Sequence, residues 1–97
     1  MSGIWFPVGT LRKDLSAKER VLGIEHNGKA KAYPLELIRK TPGTVENRLG
    51  DAVIRIKIDE GGQVSGVFDS KGTLVPHMFV YWFAWQAFHP ETEVYRP

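Results

Sequence analysis

Regular alternation of apolar and polar residues predicts strands in the middle of the chain. Ile54, Ile56 and Ile58 alternate with charged residues, so residues 52–59 are expected to form a strand that buries one face. A turn follows, and residues 63–69 are expected to return as the second strand of a hairpin. Shorter strands are predicted over residues 44–48 and 92–95.

A tight hairpin is predicted around Asn27 and Gly28, which separate two extended runs. Asn-Gly favours a type I′ turn because both central positions need positive φ angles. The resulting register places Leu22 opposite Tyr33 on one face of the hairpin. The other face consists mainly of small residues, so a bulky element can pack closely against it. The residues of this second face of the hairpin are Val21, Gly23, Glu25, Ala30 and Ala32.

Prolines indicate where the helices begin and end. Pro34 fits the start of a short amphipathic helix that carries Leu35, Leu37 and Ile38. A second, aromatic helix is expected over residues 76–89, because this span is longer than the usual strand of about 5–6 residues. A strand is the alternative for its middle part, since a run of Val, Tyr, Trp and Phe has high strand propensity.

The predicted fold class is α+β, with a mainly antiparallel sheet, a short helix after Pro34 and the aromatic helix at about 76–89. A small, partly open β-barrel is the alternative. The length predicts a single domain over residues 1–97. Within it, residues 1–19 are expected to form an N-terminal extension or edge segment, and residues 20–97 the core.

Composition and charge narrow the classes of function. The 97 residues are 42% hydrophobic and 25% charged, which excludes disordered and collagen-like chains. Thirteen Lys and Arg against 11 Asp and Glu leave a formal net charge of +2, and the cations are interspersed with acids, so nucleic-acid binding is not favoured. The chain has no Cys, which excludes disulfides and thiolate sites. Its longest uncharged run is interrupted by Gly, Pro and His, so no membrane span is predicted.

Six of the eleven aromatic residues lie in the block between Pro76 and Pro90, more than one helix face can bury. Phe79, Trp82 and Phe83 are expected to face the core, which leaves other side chains for contact with a protein or peptide partner. Stacking of single-stranded nucleic acid is a further alternative. The predicted binding residues are Tyr81, Trp85, Phe88, His89, Glu91 and Tyr95.

Histidines and acids support a competing hypothesis of a metal-binding or enzymatic site. His89 lies close to Glu91 in sequence, and His26 or His77 could join them. His77 and His89 would be about 18 Å apart along a helix, too far for one ion. No nucleophile motif or glycine-rich phosphate loop is found. We therefore predict no catalytic residues, no metal ligands and no cofactor, and favour a non-catalytic binding or accessory domain.

Two segments carry a family resemblance. Residues 21–35, VLGIEHNGKAKAYPL, resemble the V-x-G-V-x-I-x-G-x-A-x-A-Y-P segment of the bacterial domain-of-unknown-function family 3179 (DUF3179). Residues 81–95, YWFAWQAFHPETEVY, are similar to its C-terminal F-W-F-A-W-x-A-F-x-P-D-T-x-x-Y segment. Residues 45–50 resemble its intervening V-N-D-x-x-G in a looser form.

The resemblance implies a bacterial protein that is periplasmic or secreted, although the first ten residues do not have the pattern of a signal peptide. Larger members carry the G-x-A-x-A-Y-P segment twice and also a C-P-L-C segment. This chain has one copy and no Cys, so it resembles a minimal version, or the C-terminal half, of those members. Because the family has no assigned activity, the resemblance implies no catalytic residue and no cofactor.

Overall fold

The strands form two sheets. The computed structural model describes residues 12–41 and 43–97, which contain seven strands and two short helices. In chain order they are β1 (Arg20–His26), β2 (Lys29–Pro34), α1 (Leu35–Ile38), β3 (Gly43–Leu49), β4 (Ala52–Ile58), β5 (Val64–Asp69), β6 (His77–Tyr81), α2 (Trp82–Phe88) and β7 (Glu93–Val94). One sheet has the order β6-β1-β2-β7 and the other the order β3-β4-β5.

This arrangement confirms the α+β class with mainly antiparallel sheets. Every neighbouring pair of strands is antiparallel except β2 and β7. The described strands form two open sheets rather than a closed barrel. The short helix after Pro34 is α1, and none of the described helices is long and apolar enough to cross a membrane.

The β1–β2 hairpin has the predicted register. Leu22 lies opposite Tyr33, and His26 lies opposite Lys29 at the turn. Asn27 and Gly28 have φ angles of 53° and 78°, as a type I′ turn requires. The hairpin therefore has two different faces, each of which covers a separate core.

The larger core lies between the two sheets. It includes Leu22, Ile24 and Tyr33 from the hairpin, and three isoleucines that alternate along β4. All of these side chains are almost completely buried. The prediction that β4 buries one of its faces is thereby confirmed.

The smaller core lies on the opposite face of the hairpin, beneath α2. Trp82 and Trp85 pack there against Val21 and Ala32. The Trp85 ring lies so close to Gly23 that a Cβ atom at position 23 would overlap it. The flat face predicted for the hairpin is thus the surface that receives the helix.

The aromatic block does not form one helix over residues 76–89. Its first part is strand β6, which pairs with β1, and the helix begins only at Trp82. Phe79 and Phe83, expected in the core, are 49% and 41% exposed. Trp85, predicted as a binding residue, is 3% exposed. Strand propensity together with pairing to β1 outweighs the length argument that favoured a single helix.

The described part of the N-terminal extension, residues 12–19, runs along α2. The Trp82 indole N–H donates to the Arg12 carbonyl (2.9 Å), and the Phe83 N–H donates to the Ala17 carbonyl (3.0 Å). Arg12 also forms an ion pair with Asp14 (3.0 Å). The remainder of the predicted extension, residues 1–11, lies outside the described residues.

Substituting Gly23→Ala is expected to lower the free energy of unfolding by about 1–3 kcal/mol, because the added methyl forces the Trp85 ring off the sheet. Urea denaturation measures the change. Gly61→Ala is the matched control, since a Cβ there has only one neighbour, at 3.4 Å. Equal stabilities of the two variants would contradict this account of the packing.

A carboxylate-capped turn occurs on each side of β5. The first is closed by Asp59 and the second by Asp69, whose Oδ1 accepts hydrogen bonds from the backbone N–H groups of Lys71 and Thr73, both at 2.9 Å. The bond from Thr73 and then that from Lys71 hold the pKa of Asp69 below its ordinary value of 3.8. The folded state therefore favours the ionised side chain.

This lowered pKa predicts a specific pH dependence. Between the ordinary pKa of Asp69 and its lower folded value, the unfolded chain binds more protons than the folded one, so stability falls as the pH falls through this window. At neutral pH, Asp69→Asn is expected to be less stable than the wild type, and the difference should disappear in acid. Thermal unfolding at a series of pH values tests this. A difference that stays constant with pH would refute it.

Candidate functional site

Strand β6 has one free edge. Within the described residues its only neighbour in the sheet is β1. The Trp82 N–H donates to the Glu19 carbonyl (2.8 Å), and hydrogen-bonded pairs alternate along antiparallel strands. The backbone groups of alternate residues in β6 therefore face β1 or the open side. Those on the open side belong to His77, Phe79 and Tyr81.

The same strand exposes apolar side chains. Met78 and Tyr81 are 53% and 47% exposed, similar to Phe79 between them. Tyr81 stacks on Phe83, with 6.1 Å between ring centroids, so the apolar surface continues onto α2. Natural edge strands are usually blocked by charged residues or Pro, and β6 contains neither. As far as residues 12–41 and 43–97 are concerned, this edge is therefore open both to hydrogen bonding and to apolar contact.

A cavity of about 290 Å³ lies beside β6 on the helix side of the sheet. Its walls include Gly23, Met78 and Trp85, with Glu25 also among its lining residues. His77 and His89 also line it, and the His77 ring packs edge-on against that of Phe79, with 5.8 Å between ring centroids. The Nδ1–H group of His77 donates a hydrogen bond to the Val75 carbonyl (3.1 Å). The cavity is thus mainly apolar with a few polar groups.

The chain after α2 holds one wall of this cavity in place. The Trp85 indole N–H donates to the Thr92 hydroxyl (2.8 Å), and the Thr92 N–H donates to the His89 carbonyl (2.9 Å). The His89 ring lies over Trp85, with 4.1 Å between ring centroids. The position of the imidazole is therefore determined by the buried tryptophan beneath it.

A larger groove of about 670 Å³ lies on the other side of the sheet. Phe79 lines it together with Leu35 and Val64, and five charged side chains surround these apolar residues. The charged residues are Lys18, Glu19, Arg20, Glu36 and Arg39. Because Phe79 and Met78 point to opposite faces of the sheet, the groove and the cavity flank the same edge from two sides.

Comparison with known proteins assigns the chain to a family. A family described as "Protein of unknown function (DUF3179)" has a sequence model that matches residues 1–92, which include the β1–β2 hairpin, β6 and α2. This chain belongs to the DUF3179 family. No curated protein and no solved structure matches it.

The binding residues predicted for this DUF3179 chain do not form one surface. Tyr81 lies at the free edge of β6, whereas Trp85 is buried beneath the helix. Phe88 is 80% exposed at the end of α2. Tyr95 lies on the face of the sheet opposite α2, where the centroid of its ring is 5.2 Å from that of Tyr33.

His89 and Glu91 lie together in a third cavity, of about 380 Å³, next to the β1–β2 turn. His77 and His89 line the same cavity beside β6, although one element would have held them too far apart. The chain reverses between β6 and α2, which brings His89 back over the sheet. Within residues 12–41 and 43–97, no three His, Cys, Asp or Glu side chains are grouped so that they could hold a metal ion.

Sequence reasoning missed Met78, Phe79 and Phe83 as surface residues of this DUF3179 domain. A helical interpretation placed both phenylalanines inside. The signal that could have found them is the apolar run that closely follows Pro76, since an apolar strand next to a proline is typical of a sheet edge. Alternation along the strand then determines on which face of the sheet each side chain lies.

Hydrogen exchange can test the orientation of the β6 backbone. The amides of Met78 and Val80 are expected to exchange slowly because they bond to β1, and those of Phe79 and Tyr81 to exchange rapidly because they face outward. Exchange of amide protons followed by NMR measures each of them. Slow exchange at Phe79 and Tyr81 in dilute protein would show that the edge is already occupied.

Proposed function

We propose that this DUF3179 domain is a non-catalytic binding domain that adds an extended segment of a partner protein to the free edge of β6. The observation that carries the proposal is an uncharged edge strand whose outward backbone groups and apolar side chains are not covered by any of the described residues. Strand addition uses these two features together, since the main chain supplies affinity and adjacent pockets supply specificity.

The backbone of β6 offers hydrogen bonds at three alternate residues. His77, Phe79 and Tyr81 each present one N–H donor and one carbonyl acceptor to the open side. An added strand about 4.8 Å from β6 satisfies these groups and extends the four-stranded sheet to five. Its side chains then alternate between the cavity near Met78 and the groove near Phe79.

The exposed side chains supply the apolar part of the contact. Met78 and Phe79 stand on opposite faces of β6, so a partner strand buries apolar area on both. Tyr81 and Phe83 extend the contact towards α2 as a stacked pair. Aromatic residues of this kind dominate the binding free energy of many interfaces.

Two variants at one position separate the role of the backbone from that of the ring. Phe79→Ala removes only the side chain, whereas Phe79→Pro also removes the outward N–H. Proline is tolerated at an edge strand when its nitrogen faces solvent, so both variants are expected to fold. Random peptides of about eight residues, selected on the wild type and resynthesised, serve as ligands.

Phe79→Ala is expected to weaken peptide binding, and Phe79→Pro to weaken it at least about tenfold further, because a carbonyl of the peptide loses its donor. Fluorescence anisotropy measures the affinities, and slow exchange at Val80 verifies that β6 stays paired with β1. Equal loss in the two variants would contradict strand addition, as would wild-type affinity in both. Sedimentation of the free protein identifies the further case in which a second copy occupies the edge.

A further inference from the structure

We propose that the segment received by β6 alternates in character, with apolar residues facing the helix side and acidic residues facing the groove. This inference rests on the proposed function and adds the chemistry of the partner. Residues of an added strand that lie opposite Phe79 and Tyr81 point to the groove side, and those opposite Met78 point to the cavity side.

The charges in the groove favour acidic residues. Three cations, Lys18, Arg20 and Arg39, and two carboxylates line it. The ion pairs among the described residues involve other side chains, so none of these three cations has an acidic partner within 4.0 Å. Arg20 lies opposite Tyr81 in the neighbouring strand, so the two side chains stand on the same face of the sheet, the groove side.

The cavity on the helix side favours apolar residues and disfavours acidic ones. Gly23, Met78 and the Trp85 ring form apolar walls for a side chain of modest size. Glu25 also lines this cavity, and the carboxylate repels a second carboxylate placed beside it. An alternating segment can therefore bind with its acidic face only towards the groove.

Three synthetic peptides of about eight residues test the proposal. They alternate Val with Glu, Val with Thr, or Val with Lys, so each has one apolar face and differs only on the other. The Val/Glu peptide is expected to bind most tightly, at least about tenfold more tightly than Val/Lys at low salt, and the difference should shrink as salt is added. NMR titration of the full chain shows whether the amides of Phe79 and Tyr81 shift.

A charge reversal in the groove provides the decisive comparison. The double substitution Lys18→Glu and Arg20→Glu is expected to reverse the preference, so that Val/Lys binds more tightly than Val/Glu. Lys57→Glu with Lys71→Glu is the matched control, because it changes the net charge equally at residues that line neither the groove nor the cavity. The control is expected to keep the order found for the wild type.

The outcomes separate this inference from the proposed function. If all three peptides shift the β6 amides with equal affinity, strand addition stands and the acidic preference is overturned. If none shifts them, both are overturned. If a thymidine oligonucleotide of similar length binds as tightly as Val/Glu while the β6 amides stay unchanged, the cations serve nucleic acid and the inference is overturned. If Phe79 and Tyr81 exchange slowly in free, dilute protein, the chain itself occupies the edge and the inference is overturned.

Discussion

The close contact between Gly23 and the Trp85 ring determines how the four-stranded sheet is covered. Helix α2 has only seven residues, too few to be stable without packing, and it is held by the burial of Trp82 and Trp85 on small residues of the hairpin. A side chain at position 23 would lift the indole from the sheet and uncover both tryptophans. So short a helix can therefore cover the smaller core only because the hairpin face beneath it is flat.

The exposed aromatic residues follow from the same packing. A helix of two turns presents one narrow face to the sheet, and with Trp82 and Trp85 on that face Phe83 must point away. In β6, alternation places Val80 near the helix and Phe79 on the other side of the sheet, beyond the edge of the core between the sheets. The exposure of these aromatic residues is thus fixed by geometry, and Phe79, Tyr81 and Phe83 lie at or next to the edge of β6.

Local patterns predicted the elements that depend on local interactions. Asn27 and Gly28 were sufficient for the hairpin and its register, and the isoleucine alternation for β4, because turn geometry and strand period are both encoded within a few residues. The division of the aromatic block was not predictable in this way. Pairing with β1 joins distant parts of the chain, and it is this pairing, together with strand propensity, that makes residues 77–81 a strand. That His77 and His89 line one cavity depends on the same reversal of the chain.

Hydrogen bonding at a sheet edge is largely indifferent to sequence, so the selectivity of β6 has to come from the two surfaces beside it. An exposed ion pair contributes at most about 1 kcal/mol, so no single cation of the groove can decide which segment binds. Alternate residues of an added strand all lie on one face, however, and several acids can meet Lys18, Arg20 and Arg39 together while Glu25 disfavours the reversed placement. The property recognised in the proposed complex is therefore the polarity of a whole strand face. Because this preference rests on charges at the protein surface, such recognition is sensitive to salt.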